Sequence, residues 1–265
     1  MDLEYSPEHR DKRKMDVFLP EAGANGCCIL FLHGGGWQGG SQRQWHSVAQ
    51  HFCERGFACA SATYRLAPTW KFPSQVEDAR LAMAYVRSQG DRYGYAPDRI
   101  AAVGSSAGGY LVALLATIRA GDSLAATPEL AVQDTRPNAA VCYCSITTLR
   151  PWEGHETFIA GFLGKTEQEA PELYRAASPQ DRVCGGEPPF LFLHGDADQS
   201  VVLSQSLDMC NKLRQAGGWA EVVVLRGVEH GYGYGVVTPA QKESVAHVER
   251  FLRAVLRKPR PSPGV

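Results

Sequence analysis

The sequence lacks an excess of charge of either sign, and it lacks any long apolar run. Its 265 residues include 27 Lys and Arg and 28 Asp and Glu, for a formal net charge of -1. This balance argues against a surface for nucleic acid or anionic membranes. No apolar run reaches the ~18 residues that a membrane-spanning helix needs, and residues 1–14 are too charged for a signal peptide. We expect no nucleic-acid or membrane partner, and a cytoplasmic location as written, or a secreted or periplasmic one if a leader was removed.

The sequence also lacks the common metal, redox and nucleotide motifs. None of its eight cysteines forms a CxxC pair, and most lie within apolar runs, where cysteine acts as a small apolar residue. The glycines at 34–36 are not followed by the Lys-Ser/Thr pair of a phosphate-binding loop. The Gly-Tyr-Gly-Tyr-Gly segment at 231–235 does not open a helix with dinucleotide-binding spacing. We therefore expect no metal and no organic cofactor.

Short apolar runs that are typical of buried strands alternate with helical patterns along the chain. This alternation predicts an α/β fold with a mostly parallel sheet. Strands are predicted at 15–19 (an edge strand), 27–32, 57–63, 100–103, 139–144, 190–193 and 221–225, and helices at 41–55, 74–92, 106–119, 200–215 and 241–256. We expect one catalytic domain over 1–258 and a flexible tail over 259–265. Residues 147–182 contain no strand pattern and are predicted to form a lid-like excursion.

The strongest chemical signal is the GxSxG pattern at 104–108, with Ser106 at its centre. A predicted strand precedes it and an apolar helix follows it. A sharp strand-to-helix turn of this kind exposes a serine hydroxyl above the sheet and requires small neighbouring residues. Ser106 is therefore the candidate nucleophile.

A serine hydroxyl needs a base, and that base needs a group that orients it. His230 follows the predicted strand at 221–225 in a loop that contains Gly227 and Gly231, so it is the best candidate base. Asp198 and Asp196 both follow the strand at 190–193. We favour Asp198 as the acid because it lies past the turn, whereas Asp196 has a residue pattern typical of the turn itself.

The segment His-Gly-Gly-Gly-Trp at 33–37 directly follows a predicted buried strand. Glycines allow a backbone to approach a reacting carbonyl closely with its N–H groups free. Gly35 and Gly36, together with the N–H of Ala107, are therefore the predicted oxyanion hole.

These segments, with residues 64–68, 72–73, 194–198 and 229–231 and Asp78, resemble the α/β-hydrolase superfamily. Within it the chain is most similar to hormone-sensitive-lipase-like esterases and to acetylxylan and feruloyl esterase-like bacterial carbohydrate esterases. The resemblance implies an eight-stranded, mostly parallel sheet flanked by helices, with Ser106, Asp198 and His230 as the catalytic triad. We expect Arg65 to anchor its loop through an ion pair with Asp78.

The predicted function is serine-dependent hydrolysis of short-chain acyl or aryl esters through an acyl-enzyme. Acetyl or feruloyl groups on plant carbohydrates are candidate substrates. The alternatives are an arylformamidase-like amide hydrolase, because those enzymes share the His-Gly-Gly-x-Trp loop, and a catalytically silent binding module. Trp37, Phe158 and Phe162 are the predicted substrate contacts, and the partner is a small-molecule or carbohydrate ester. The sequence gives no oligomeric state.

Overall fold

The computed structural model describes residues 3–152 and 154–257, and these contain an eight-stranded sheet of order β1-β2-β4-β3-β5-β6-β7-β8. The strands are β1 (Leu3–Glu4), β2 (Lys14–Phe18), β3 (Cys28–Leu32), β4 (Ala58–Ala62), β5 (Ile100–Ser105), β6 (Ala139–Tyr143), β7 (Phe190–Gly195) and β8 (Ala220–Leu225). Strands β3 to β8 pair with one another in parallel, whereas β2 pairs antiparallel with both β1 and β4. The predicted mostly parallel, eight-stranded sheet is confirmed.

Helices cover both faces of the sheet. They are α1 (His46–Cys53), α2 (Ser74–Ser88), α3 (Gly90–Tyr93), α4 (Ala107–Thr117), α5 (Glu156–Leu163), α6 (Pro171–Ala177), α7 (Pro179–Arg182), α8 (Ser204–Gln215) and α9 (Pro239–Val255), with 3-10 turns at Gln42–Trp45 and Leu130–Val132. Alternate residues of the central strands enter two separate apolar clusters, which pack against α2, α4 and α8 on one face and against α1 and α9 on the other. Among the described helices, none is both long and apolar enough to cross a bilayer.

Two expectations about local structure are corrected. The strand predicted at 15–19 is not at the edge, because β1 pairs outside β2 with Leu3 opposite Met15. The helix predicted at 41–55 begins with the 3-10 turn and becomes α-helical only at His46. The tail predicted at 259–265 lies outside the described residues.

The segment 147–182 contains α5, α6 and α7 and, in its described part, no strand. Its first residues are hydrogen-bonded to α8: the Gln205 side-chain oxygen accepts from the N–H groups of Thr147 and Thr148 at 2.8 and 2.9 Å. Helix α5 reaches the loop after β3, where the ring of Phe162 stacks on Trp37 with centroids 3.9 Å apart. The segment therefore covers the end of the sheet at which β3 stops.

A buried ion network ties the N-terminal strands to α2. The Asp78 carboxylate has no exposed surface, and it accepts hydrogen bonds from Arg13 Nε at 2.7 Å and from Arg65 Nε at 3.0 Å. The backbone N–H of Arg65 donates to the same carboxylate at 2.7 Å. Glu77 contacts both guanidinium groups. The predicted Arg65–Asp78 ion pair is confirmed, and Arg13 is a second partner that the sequence did not indicate.

Candidate active site

Ser106 lies at a strained turn between β5 and α4. Its backbone has φ 55 and ψ -120, a conformation that a residue with a side chain rarely adopts. Its neighbours have to be small: a Cβ at Gly104 would lie 2.3 Å from the carbonyl oxygen of Gly108, and a Cβ at Gly108 would lie 2.1 Å from that of Leu32. The turn is held by the N–H of Ser106, which donates to Tyr143 O at 2.9 Å. The glycines of the motif thus permit the turn that presents the serine.

The loops after β7 and β8 bring an acid and a base to this serine. His230 Nε2 lies 3.0 Å from Ser106 Oγ, and His230 Nδ1 lies 2.7 Å from Asp198 Oδ2. Asp196 is exposed, and its carboxylate accepts a hydrogen bond from the N–H of Gly227 at 2.6 Å. The structure therefore brings together Ser106, His230 and Asp198, and it leaves Asp196 in a turn contact.

A second histidine, His194, contacts the same carboxylate. His194 is fully buried within β7, with Nε2 2.9 Å from Val201 O and 3.4 Å from Asp198 Oδ2. Because the Val201 carbonyl can only accept, Nε2 carries the proton, and Nδ1 accepts from the Ser206 hydroxyl at 2.8 Å. The only sequence signal was its position four residues before Asp198.

The remaining contacts of Asp198 favour its ionised form. One carboxylate oxygen accepts from the N–H groups of Ser200 and Val201, each at 2.9 Å. Burial alone would raise the pKa of Asp198, but hydrogen bonds from both histidines and from the backbone outweigh it and lower the pKa well below its usual range. Asp198 is therefore a fixed negative charge at neutral pH.

Two opposing effects act on the pKa of His230. Burial alone would lower the pKa of its imidazole, but the neighbouring Asp198 and Cys144 side chains outweigh burial and raise the pKa above the ordinary value for histidine. The shift indicates that the site stabilises an imidazolium. A base that becomes protonated during a reaction needs that property.

The glycine loop after β3 passes beside the serine. Gly35 and Gly36 have φ values of 116 and 60, which glycine adopts at little cost. A Cβ at Gly34 would lie 3.3 Å from the Cβ of Ser106, so the loop and the serine are in close contact. Within residues 3–152 and 154–257, no hydrogen bond uses the N–H of Gly35, Gly36 or Ala107. Gly35 is exposed and Gly36 is partly exposed, whereas Ala107 has no exposed surface in this conformation. The three N–H groups stay the predicted oxyanion hole.

Aromatic side chains shape the glycine loop from two sides. Tyr64 Oη donates to His33 O at 2.7 Å, and the two rings stack with centroids 4.3 Å apart. The N–H of Gly34 donates to Tyr234 Oη at 2.6 Å. Tyr234 lies four residues after His230, so the loop that carries the histidine also contacts the glycine loop.

The predicted substrate contacts need correction. Trp37 and Phe162 have no exposed surface, because their rings stack on each other and both pack edge-on against Tyr110 in the core. The prediction that they contact substrate directly is therefore wrong for this conformation. Phe158 is only half-buried, and its ring would lie 3.1 Å from a Cβ at Gly36. Phe158 remains a predicted contact at the edge of the glycine loop.

Comparisons with known proteins agree with the fold and its motifs. The BD-FAE family model matches residues 15–213. Esterase LipC of Mycobacterium tuberculosis is 33% identical over 242 residues, which cover 86% of this chain and 58% of that protein. Acetylxylan esterase of Xylanibacter ruminicola is 24% identical over 92% of this chain and 48% of that protein. The chain thus spans about half the length of these curated relatives.

Solved structures match this chain over nearly the whole length of both chains. The esterase Est2 of Thermogutta terrifontis, in its propionate-bound structure, has a TM-score of 0.81 and 26% identity. The match covers 98% of this chain and 96% of that chain, and a butyrate-bound structure of the same esterase has a TM-score of 0.83. The resemblance to α/β-hydrolase esterases is confirmed, and the chain belongs to the BD-FAE family.

Proposed function

We propose that the chain is a serine-dependent carboxylic ester hydrolase with Ser106 as its nucleophile. The observation that carries this proposal is the pair of contacts at His230, 3.0 Å to the Ser106 hydroxyl and 2.7 Å to the Asp198 carboxylate. An activated nucleophile requires a base within hydrogen-bond reach and an orienting group behind that base. The esterase names of the relatives support ester rather than amide bonds as the substrate class.

In the first half-reaction, Ser106 Oγ attacks the ester carbonyl carbon while His230 Nε2 takes the hydroxyl proton. The carbonyl oxygen becomes negative and accepts hydrogen bonds from the N–H groups of Gly35, Gly36 and Ala107. His230 then gives its proton to the departing alcohol as the C–O bond breaks. In the second half-reaction, water attacks the acyl-enzyme with the same proton transfers through His230, and the carboxylic acid is released.

Asp198 keeps the proton of neutral His230 on Nδ1, which leaves Nε2 free to accept. His194 acts through Asp198 and does not touch the substrate. Its Nε2 lies 3.4 Å from Asp198 Oδ2, the same oxygen that His230 contacts, so we assign it a positioning role. Hydrogen bonds behind a catalytic carboxylate fix the direction in which it points.

We further propose that the acyl group is short and that acetyl esters, including those on plant carbohydrates, are preferred. The relative named acetylxylan esterase and the propionate and butyrate complexes of Est2 support small acyl groups. The burial of Trp37 and Phe162 removes two predicted walls of a longer channel. Phe158 is left as the apolar side chain beside the glycine loop, which suits a short acyl or a planar aryl group.

The nucleophile is tested with Ser106→Ala and with Ser105→Ala as a matched control. We expect Ser106→Ala to lower kcat on an aryl acetate by about 10⁶-fold, the scale seen when a triad serine is removed, and to abolish labelling by a fluorophosphonate. Ser105→Ala removes the adjacent, fully buried hydroxyl and should retain most activity. The opposite pattern would contradict the proposal. An N-formyl aniline hydrolysed faster than the aryl acetate would instead favour amide hydrolysis.

The acyl preference is tested with one series of aryl esters from acetate to octanoate. We expect kcat/KM to be highest for acetate or propionate and to fall for longer chains. An apolar tunnel would give the reverse trend, since each buried CH₂ contributes about 0.8 kcal/mol, or roughly four-fold. A steady rise toward octanoate would therefore rule out the short-acyl proposal while leaving the ester hydrolase proposal intact.

A further inference from the structure

The thiol of Cys144 lies beside the candidate triad, and apart from its contribution to the raised pKa of His230 it has no role in the chemistry above. One ligand atom each from Cys144, Asp198 and His230 lies within 4.8 Å of the other two. The three residues follow β6, β7 and β8, which are neighbours in the sheet, so their carboxyl ends meet at one edge. Sulfur, nitrogen and carboxylate oxygen form the donor set that Zn²⁺ prefers, whereas Mg²⁺ and Ca²⁺ prefer oxygen alone.

The backbone places Cys144 at this position in an unusual way. Residues two apart on a strand normally share a face, yet Cys142 packs in one apolar cluster and Cys144 in the other. Cys144 has φ 38, and its N–H donates to Leu193 O at 2.8 Å. The left-handed backbone thus turns the thiol away from the strand pattern and toward the triad, where its Sγ lies 3.5 Å from Ser105 Oγ.

We propose that Cys144, Asp198 and His230 bind Zn²⁺ reversibly and that zinc inhibits the enzyme from within its own triad. This inhibition rests on the proposed function. Binding through His230 Nδ1 requires the lone pair that the catalytic tautomer uses for its proton. The Cys144 thiol releases one proton to solvent, and the imidazole proton passes from Nδ1 to Nε2. With Nε2 protonated, His230 has no lone pair for the proton of Ser106.

The geometry makes zinc binding and the working triad mutually exclusive. His230 Nδ1 and Asp198 Oδ2 are 2.7 Å apart. Two such ligands of a tetrahedral Zn²⁺, each at about 2.0–2.1 Å, are separated by roughly 3.3 Å. The catalytic hydrogen bond therefore has to open before the ion can enter. The accessible approach is past His230, whose side chain is 25% exposed, because those of Cys144 and Asp198 are almost fully buried.

The site itself is tested by spectroscopy, which does not depend on esterase activity. Cobalt(II) serves as the probe, because a thiolate bound to it gives a sulfur-to-metal charge-transfer band in the near ultraviolet. We expect the full chain to develop this band, and Cys144→Ala and Cys144→Ser to lose it. Cys184→Ser, at an exposed cysteine, and Cys142→Ala, at the buried cysteine two residues before Cys144, should keep it. Circular dichroism shows whether each variant is folded.

Inhibition is tested on an aryl ester, with each variant compared with its own zinc-free rate. We expect zinc to inhibit the unmodified chain, a chelator to restore its rate, and Cys144→Ala to raise the half-inhibiting zinc concentration at least ten-fold, as expected for loss of a metal-binding contact. Absence of the cobalt band, an equal band in Cys144→Ala, or equal zinc sensitivity in that variant would overturn the proposal. A chain that shows the band but hydrolyses no ester would contradict the proposed function and leave the metal site standing.

Discussion

Two buried carboxylates organise two regions of this molecule, and they have opposite consequences. Asp78 is 0% exposed and is held by the guanidinium groups of Arg13 and Arg65. Asp198 is 7% exposed and is held by the imidazoles of His194 and His230. In both regions the carboxylate also accepts backbone N–H groups. The networks differ in the chemistry of the partners and in where each network ends.

The Asp78 network is closed, since its charged groups face one another between the N-terminal strands and α2. Guanidinium groups keep their protons in proteins, so this network cannot move a proton. The Asp198 network is open at one end, where His230 meets the half-buried hydroxyl of Ser106. Imidazole can gain and lose a proton near neutral pH. Burial of a carboxylate therefore does not identify a catalytic site, but a titratable partner that ends at a nucleophile does.

The comparison is tested most strongly by converting the open network's acid to an amide. We expect Asp198→Asn to lower kcat on an aryl acetate by about 10⁴-fold, because the amide favours the wrong histidine tautomer. Asp196→Asn is the matched control, two residues away and exposed, and should lose far less. Equal losses in the two variants would contradict the assignment of Asp198 as the acid, and a larger loss at Asp196 would assign that role to Asp196.

The same change in the closed network should affect stability instead of catalysis. Asp78→Asn leaves two buried guanidinium groups undercompensated, and breaking a buried pair costs about 3–5 kcal/mol in the free energy of unfolding. Urea titration measures this loss. Activity per fluorophosphonate-labelled molecule should remain close to that of the unmodified chain. A stable Asp78→Asn protein with a greatly reduced turnover would remove the distinction between the two regions.

A smaller effect is expected at the residue behind the acid. His194→Ala should lower kcat by about 10²-fold with little change in KM, because a misdirected carboxylate misplaces His230 and small misplacements have effects of this size. His194→Gln keeps an N–H donor and should recover part of the rate. If His194 only supports the fold, turnover per labelled site would stay unchanged in both variants. That result would end the positioning assignment.

The sequence predicted the sheet well where burial is uniform. Strands β3, β5, β6 and β7 are buried on both faces, so each appears in the sequence as an apolar run. It failed at β1, because two residues contain no periodicity and pair only through contacts elsewhere in the fold. It also failed at the start of α1, because the 3-10 turn Gln42–Trp45 has only 4 residues, too few to distinguish its period from that of an α-helix.

For the candidate site, local patterns predicted which residues would meet, and long-range packing decided the rest. Ser106, Asp198 and His230 each follow a strand, and their order along the chain is typical of the fold. Trp37 looked like a substrate contact because it adjoins the glycine loop, but the ring of Phe162, distant in sequence, buries it. Cys144 looked like an ordinary strand residue, because its left-handed backbone cannot be seen in a pattern of apolar residues.

The hydrogen bond between the Gly34 N–H and Tyr234 Oη joins segments 200 residues apart. In folding terms, the glycine loop and the histidine loop can meet only after nearly every intervening strand has taken its place. Contacts of such high sequence separation form late, because the entropy of closing the chain has to be paid first. During refolding, burial of Trp37 and Trp45, which have no exposed surface in the folded chain, should therefore precede the appearance of ester hydrolysis. The delay between the two signals would measure how long the site takes to assemble.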